Sequence, residues 1–136
     1  MQRVSRASVD ADGARVAEIG PGLLVLLGVT HGDTQAEAER LAARLRALRV
    51  FEDAGGRMNE PLGPEREVLV VSQFTLYGDA RKGNRPAYVA AARPERAEPL
   101  YERFADRLGA QRGVFGAHMD VELVNDGPVT VMIEVV

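Results

Sequence analysis

Met119-Asp120-Val121-Glu122-Leu123-Val124-Asn125-Asp126-Gly127-Pro128-Val129-Thr130 is the stretch on which the reading of this chain turns. Apolar and polar residues alternate from Met119 to Val124, the period of a strand with one covered face. A second apolar run, Val129 to Val136, follows. Asp-Gly between two such runs is a hairpin signal, so the stretch reads as a closing hairpin with its turn at Asn125 to Pro128. Pro128 fits that turn poorly, because proline brings no N–H to a ladder and fixes its own φ. Local propensity makes the segment a bulged turn. A Gly-Pro bond is also a place where a cis peptide costs little.

Upstream, Glu67 to Leu76 is the strongest strand in the chain, and it closes on Ser72-Gln73-Phe74-Thr75-Leu76 where a turn signal would be usual. Polar groups at the end of a buried strand must be satisfied or used. On a continuous strand Gln73 and Thr75 share one face, Ser72 and Phe74 the other. Residues 3–9 and Ala14–Ile19 read as two strands joined by a tight turn at Asp10 to Gly13. Leu23 to Leu27 has no alternation, as in a strand covered on both faces. Thr34 and Glu37 form a capping-box pattern. Ala38, Leu41, Ala42, Leu45 and Leu48 then recur at helical spacing, with Glu39, Arg40, Arg44 and Arg46 elsewhere on the wheel and the arginines as a solvated face. Val50 and Phe51 begin a short strand, Glu52–Glu65 reads as loop, and Gly78–Pro86 is a basic, glycine-containing loop. Pro94–Leu108 reads as a second amphipathic helix. Pro94 suits its first turn, whereas Pro99 predicts a late start or a kink. The sum is one mixed α/β domain over residues 1–136.

Composition narrows the chemistry. With no cysteine in 136 residues, disulfides, thiolate zinc sites and a Cys nucleophile are all excluded, and a reducing compartment fits. No apolar run approaches the ~20 residues of a membrane helix, and Met1-Gln2-Arg3-Val4 opens no signal-peptide core. A cytoplasmic protein without membrane contact is expected. The net charge of −3 and pI near 5.4 speak against a general nucleic-acid coat while leaving room for a local basic patch. His31 and His118, the only histidines, belong to no metal-ligand spacing. There is no Gly-x-Ser-x-Gly elbow. Ser72, Gln73, Thr75 and Thr130 remain as polar groups on apolar strands, and a strand threonine is more often a packing residue than a nucleophile.

Ser72-Gln73-Phe74-Thr75-Leu76 and Asn125-Asp126-Gly127-Pro128-Val129-Thr130, taken together, resemble the two signature motifs of the D-aminoacyl-tRNA deacylase family, in order and at a matching separation. The resemblance covers nearly the whole chain. It includes Gln2 to Val9, Glu18 to Leu23, Phe51-Glu52-Asp53, Lys82-Gly83-Asn84-Arg85-Pro86 and Phe115-Gly116-Ala117-His118-Met119. Three departures stand out. The family usually carries a few more residues before Gln2, which predicts a clipped first strand. His118 stands where an acidic residue is common, and Val114 where a basic one is.

The resemblance implies an α/β fold whose mixed and antiparallel sheets form a barrel-like layered core with two amphipathic helices. It implies a homodimer that hydrolyses the ester between a D-amino acid and the 3′-terminal ribose of tRNA, with glycyl-tRNA not excluded. It implies no cofactor and no metal. Gly127 and Pro128 would be cis and would reach into the partner's active site, where their carbonyls exclude an L side chain. Gln73, Phe74 and Thr75 would form the oxyanion and positioning segment, assisted by the 2′-OH of the substrate, with Thr130 a further catalytic candidate. Ser72 and Asn125 would lie at the substrate. Phe115 and Met119 would pack on the adenine or, alternatively, in the core. Arg81, Lys82 and Arg85 are candidate tRNA phosphate contacts, with a solvated loop as the alternative. Two other functions remain open: a non-catalytic tRNA- or ligand-binding dimer of the same fold, and an esterase with a Thr or Ser nucleophile.

Overall fold

A computed structural model describes residues 1–135; Val136, the end of the expected last strand, lies outside them. One long strand, β1 (Gln2–Ala11), organises the sheet. One of its edges pairs along its whole length with β8 (Met119–Thr130), antiparallel, from Ala11 opposite Met119 to Gln2 opposite Thr130. The other edge is shared. Ala7–Ala11 pair with β2 (Ala14–Ile19), and Gln2–Val4 pair with β3 (Gly22–Leu27). Asp12 and Gly13, both at positive φ, make the β1–β2 turn, as the twist of a tight hairpin requires. β1 starts at Gln2, and the Met1 amino group donates to the Val131 carbonyl at 2.8 Å.

β3 then pairs in parallel with β6 (Glu67–Ser72), and β6 with β7 (Gln111–Arg112). β2 returns towards β6 and β7, where the Glu18 N–H donates to Gln111 Oε1 and the Gly20 N–H to Glu67 Oε1, each at 3.0 Å. The mixed sheet thus nearly closes into a barrel. A separate hairpin, β4 (Phe51–Glu52) with β5 (Met58–Glu60), occupies part of the segment expected to be loop. Asp53 holds its turn by accepting from the Gly55 and Arg57 N–H groups.

The unalternating run of β3 is buried on both faces, as expected. Leu23, Val25 and Leu27 pack with Val68 and Val70 of β6 under the helices, while Leu24 joins Val4, Val9, Leu69 and Val71 on the inner side. A Cβ on Gly22 would overlap the Glu67 backbone, so glycine is what lets β3 approach β6 at that end. The helices are α1 (Gln35–Ala47), with the Thr34–Glu37 capping box formed, and α2 (Pro94–Leu108), closed by Gly109 in the left-handed conformation. Among the described residues no helix is long and apolar enough to cross a membrane.

Three further expectations need correcting. The closing hairpin does not form: β8 is a single strand from Met119 to Thr130, with residues 125–130 distorted within it. The pairing energy of β1 overrides the local Asp-Gly turn signal. The strand expected over Glu67–Leu76 ends at Ser72, and Phe74–Tyr77 form a 3₁₀ turn, so alternation does not govern Gln73 to Thr75. α2 runs uninterrupted from Pro94 through Pro99; only the single bond from that position is lost. The arginines expected as a solvated face of α1, Arg40, Arg44 and Arg46, are exposed, while Glu39 accepts from Arg103 and Arg107, each at 2.9 Å, and Arg46 donates to the Arg107 carbonyl.

Candidate active site

Two parallel strands, β3 and β6, end side by side, and a cavity of about 660 Å³ opens at their carboxyl ends. Leu27, Val29, Val71 and Val121 make its apolar floor, and Ser72, Gln73 and Phe74 enter from the end of β6. Phe115 and Met119 line it from the segment leading into β8. Phe115 also packs against Tyr101, ring centroids 5.7 Å apart, so it touches core and cavity at once. This volume lies within the range of small-ligand sites. The ends of parallel strands are also where open α/β sheets place their ligands.

The turn after β6 decides what the cavity offers chemically. The Gln73 N–H is already donated to the Leu27 carbonyl at 2.8 Å, which pins the turn to β3. Hydrogen bonding within the turn starts with Leu76 N–H to Gln73 O and Gly78 N–H to Thr75 O. The N–H groups of Phe74 and Thr75, in the first turn, have no partner inside it. The Gln73 side-chain amide bonds the Thr75 hydroxyl, so these two side chains hold each other even though no strand aligns them. Phe74 is 57% exposed, and its ring meets Tyr88 edge-on at 5.2 Å.

The second motif lies elsewhere on the chain. Between the pairs Gln2–Thr130 and Val4–Asn125, the four residues Asp126 to Val129 oppose Arg3 alone. The Asn125 side chain closes the distortion, accepting from the Val129 N–H at 2.7 Å and donating to Thr130 Oγ1 at 3.1 Å. Gly127–Pro128 is cis, with Gly127 at φ +148°, and both residues are exposed. Neither lines the cavity built by Ser72–Phe74, and nor do Asn125, Thr75 or Thr130. Thr130 instead borders a second, apolar groove of about 270 Å³, shared with Met1, Leu26, Leu76 and Met132.

Arg81 donates to both carboxylate oxygens of Asp79 at 2.9 and 2.7 Å in an exposed ion pair, and Lys82 and Arg85 of the same loop are exposed. His31 is exposed, with Nε2 2.7 Å from the Val89 carbonyl. Among the described residues no group of three or more His, Asp or Glu is placed to hold a metal ion.

Sequence reasoning missed three residues. Arg3 is only 6% exposed; it donates to the Asp126 and Val50 carbonyls, each at 2.8 Å, and so braces the distorted segment from below. The sequence held no signal for it, since β1 also carries Gln2, Ser5, Arg6, Ser8 and Asp10. Tyr88 walls the cavity opposite the end of β6, on a loop fixed by Asp79–Ala87 and Thr30–Ala91 bridges. Arg93, which precedes α2, also reaches the cavity. Nothing in the sequence marks these last two apart from other loop residues.

Fold and cavity together define a small α/β protein with an apolar, backbone-polar cleft at the ends of two parallel strands. The chain belongs to the D-Tyr-tRNA(Tyr) deacylase family, whose model matches residues 1–134. It is 55% identical to the D-aminoacyl-tRNA deacylase of Symbiobacterium thermophilum, over 98% of this chain and 93% of that one. Among solved structures it is similar to the c-Myc DNA Unwinding Element Binding Protein, with TM-score 0.92 and 41% identity, covering 98% and 95% of the two chains. A probable eukaryotic D-amino acid tRNA deacylase shares the fold at TM-score 0.78 and 17% identity, covering 93% and 92%.

Proposed function

We propose that the protein is a D-aminoacyl-tRNA deacylase. Water adds to the ester carbonyl of the substrate, and the bond from that carbon to the ribose oxygen breaks. The amino acid leaves as the free acid, and the tRNA regains its terminal hydroxyl. The observation that carries this reading is the meeting of Ser72–Phe74 with Phe115 and Met119 around one cavity, in a chain of this family. The terminal adenosine occupies the apolar part, against Phe115 and Met119. The ester carbonyl lies by the unpartnered N–H groups of Phe74 and Thr75, which stabilise the oxyanion where charge develops. Gln73 serves there by position, since its own N–H is spent on Leu27.

Among the described residues the side-chain hydrogen-bond partners of Thr75 and Thr130 are the amides of Gln73, Asn125 and Gln2, and none is a histidine or carboxylate that would activate a nucleophile. That supports the 2′-OH of the substrate, in preference to a threonine nucleophile, as the assisting hydroxyl. The protein works as a homodimer in which Asp126 to Val129 reach the partner's cavity, and Gly127 and Pro128 present backbone to the aminoacyl group. Their exposure, and their distance from the chain's own cavity lining, fit a role in trans. The exposed Leu76 and Met132 beside Thr130 supply apolar surface for such an interface. A backbone wall discriminates enantiomers geometrically, where a hydrophobic pocket could not. It leaves glycine unopposed. Arg81, whose exposed pair with Asp79 is weak, contacts tRNA phosphates together with Lys82 and Arg85.

The test is deacylation of D-aminoacyl-tRNA by the purified protein, followed by release of the free amino acid. Turnover with a normal substrate and its loss when the tRNA ends in 2′-deoxyadenosine are expected. Binding of tRNA without any release would favour a non-catalytic binding protein, and full activity on the deoxy substrate would remove the 2′-OH from the mechanism.

A further inference from the structure

The cavity has an electrostatic asymmetry that its apolar floor conceals. Among the described residues no carboxylate lines it, and its two basic side chains, Arg93 and His118, come from separate elements: the residue before α2 and the residue before β8. Both residues are exposed, so neither is spent on the core. Arg93 pairs with Glu95 at 2.8 Å, but the two side chains are 79% and 66% exposed. Such a pair is weak and readily exchanged for a better anion. His118 has no hydrogen-bond partner among the described residues, and an imidazole presents at least one N–H donor in either protonation state. The overall charge of −3 makes a local cationic rim the means by which this face can attract a polyanion.

We propose that Arg93 and His118 form a phosphate subsite at the rim of this cavity, which binds the 5′-phosphate of the nucleotide whose base enters the apolar part. The proposal rests on the reading of the cavity as the site of a terminal adenosine, and it gives His118 a role in place of the acidic residue common in the family. Arg93 supplies a forked donor suited to phosphate oxygens, and His118 supplies a second donor from another direction.

The test separates binding from catalysis. Calorimetric titration with adenosine 5′-monophosphate and with adenosine is carried out on the wild type and on the double variant Arg93→Ala/His118→Ala. The wild type should bind the phosphorylated ligand roughly tenfold or more tightly than adenosine, as charge-assisted hydrogen bonds require. In the double variant that preference should fall to about one, with adenosine affinity unchanged as the sign of an intact fold. Equal affinities in the wild type, a preference that survives the double substitution, or no binding of either ligand would each overturn the proposal. Failure of the deacylase reading is seen separately, as absent turnover of D-aminoacyl-tRNA by a protein that still prefers the phosphorylated nucleotide.

Discussion

Arg3 carries a charge into the buried part of β1, and it stays there because two carbonyls need it. Its guanidinium serves Asp126 and Val50 and lies near the carboxylates of Asp126 and Glu52, at 3.7 and 4.0 Å. Arg3→Met should therefore cost about 2–4 kcal/mol in a denaturation midpoint, since both carbonyls lose their donor. Arg3→Lys should cost less but still measurably, because a point charge cannot serve two acceptors in a fork. A change below about 0.5 kcal/mol for Arg3→Met would show that water replaces the guanidinium freely. The threonines make a contrast. Thr75→Ala and Thr130→Ala should each lower kcat about tenfold or less, whereas loss of several orders of magnitude would mark a nucleophile. At this scale the sequence was partly legible. The motif residues are visible as residues, but their grouping is not. Gln73 reaches Thr75 only because the chain leaves the strand at Ser72, and Arg3 reaches Asp126 only through long-range pairing.

The helices and the inner strands could be read from local periodicity because their burial follows it. Leu45, Leu100, Phe104 and Leu108 all face the core, and β3 is covered on both faces. Where tertiary pairing competes with local signals, the local reading fails, as at Asp126-Gly127 inside β8 and at the 3₁₀ turn that ends β6. Two predictions belong to this scale. Gly22→Ala should abolish soluble folded protein or cost about 3 kcal/mol or more, because the added methyl meets the Glu67 backbone; thermal melting or expression reads this directly. Tyr101, on α2, is almost fully buried, and burial, with Glu102 nearby, pushes its phenol up to about 12 from an ordinary value of 10. Below pH 10 the phenol is neutral in both folded and unfolded chains, so its contribution is complete. As pH rises from 10 to 12 only the unfolded state loses the proton, and stability should fall by up to about 2–3 kcal/mol. Tyr101→Phe, which gives up two long hydrogen bonds to Val70 and Gly113, should flatten that alkaline loss.

At the scale of the whole molecule, the second motif does not line the cavity that Ser72, Gln73 and Phe74 enter, although Leu76 and Thr130 border one groove, and no local pattern in the sequence reveals this. If the two motifs meet across a two-fold interface, subunits damaged in different motifs can repair each other. Phe74→Pro, which removes one proposed oxyanion N–H, should be nearly inactive, whereas Pro128→Ala should lose discrimination against the L form. Mixed and exchanged in equal amounts, half of the Pro128→Ala subunits gain a partner with an intact Gly-Pro segment, so L-form release per Pro128→Ala subunit should fall by about half. Unchanged L-form release after proven subunit exchange would place both motifs in the same subunit's site. The central claim, chiral hydrolysis, is tested most directly by single-turnover deacylation of one tRNA charged in parallel with the D and the L form of the same amino acid. Rapid release from the D form with the L form spared is expected. Equal rates for the two enantiomers, or release from the L form alone, would contradict it.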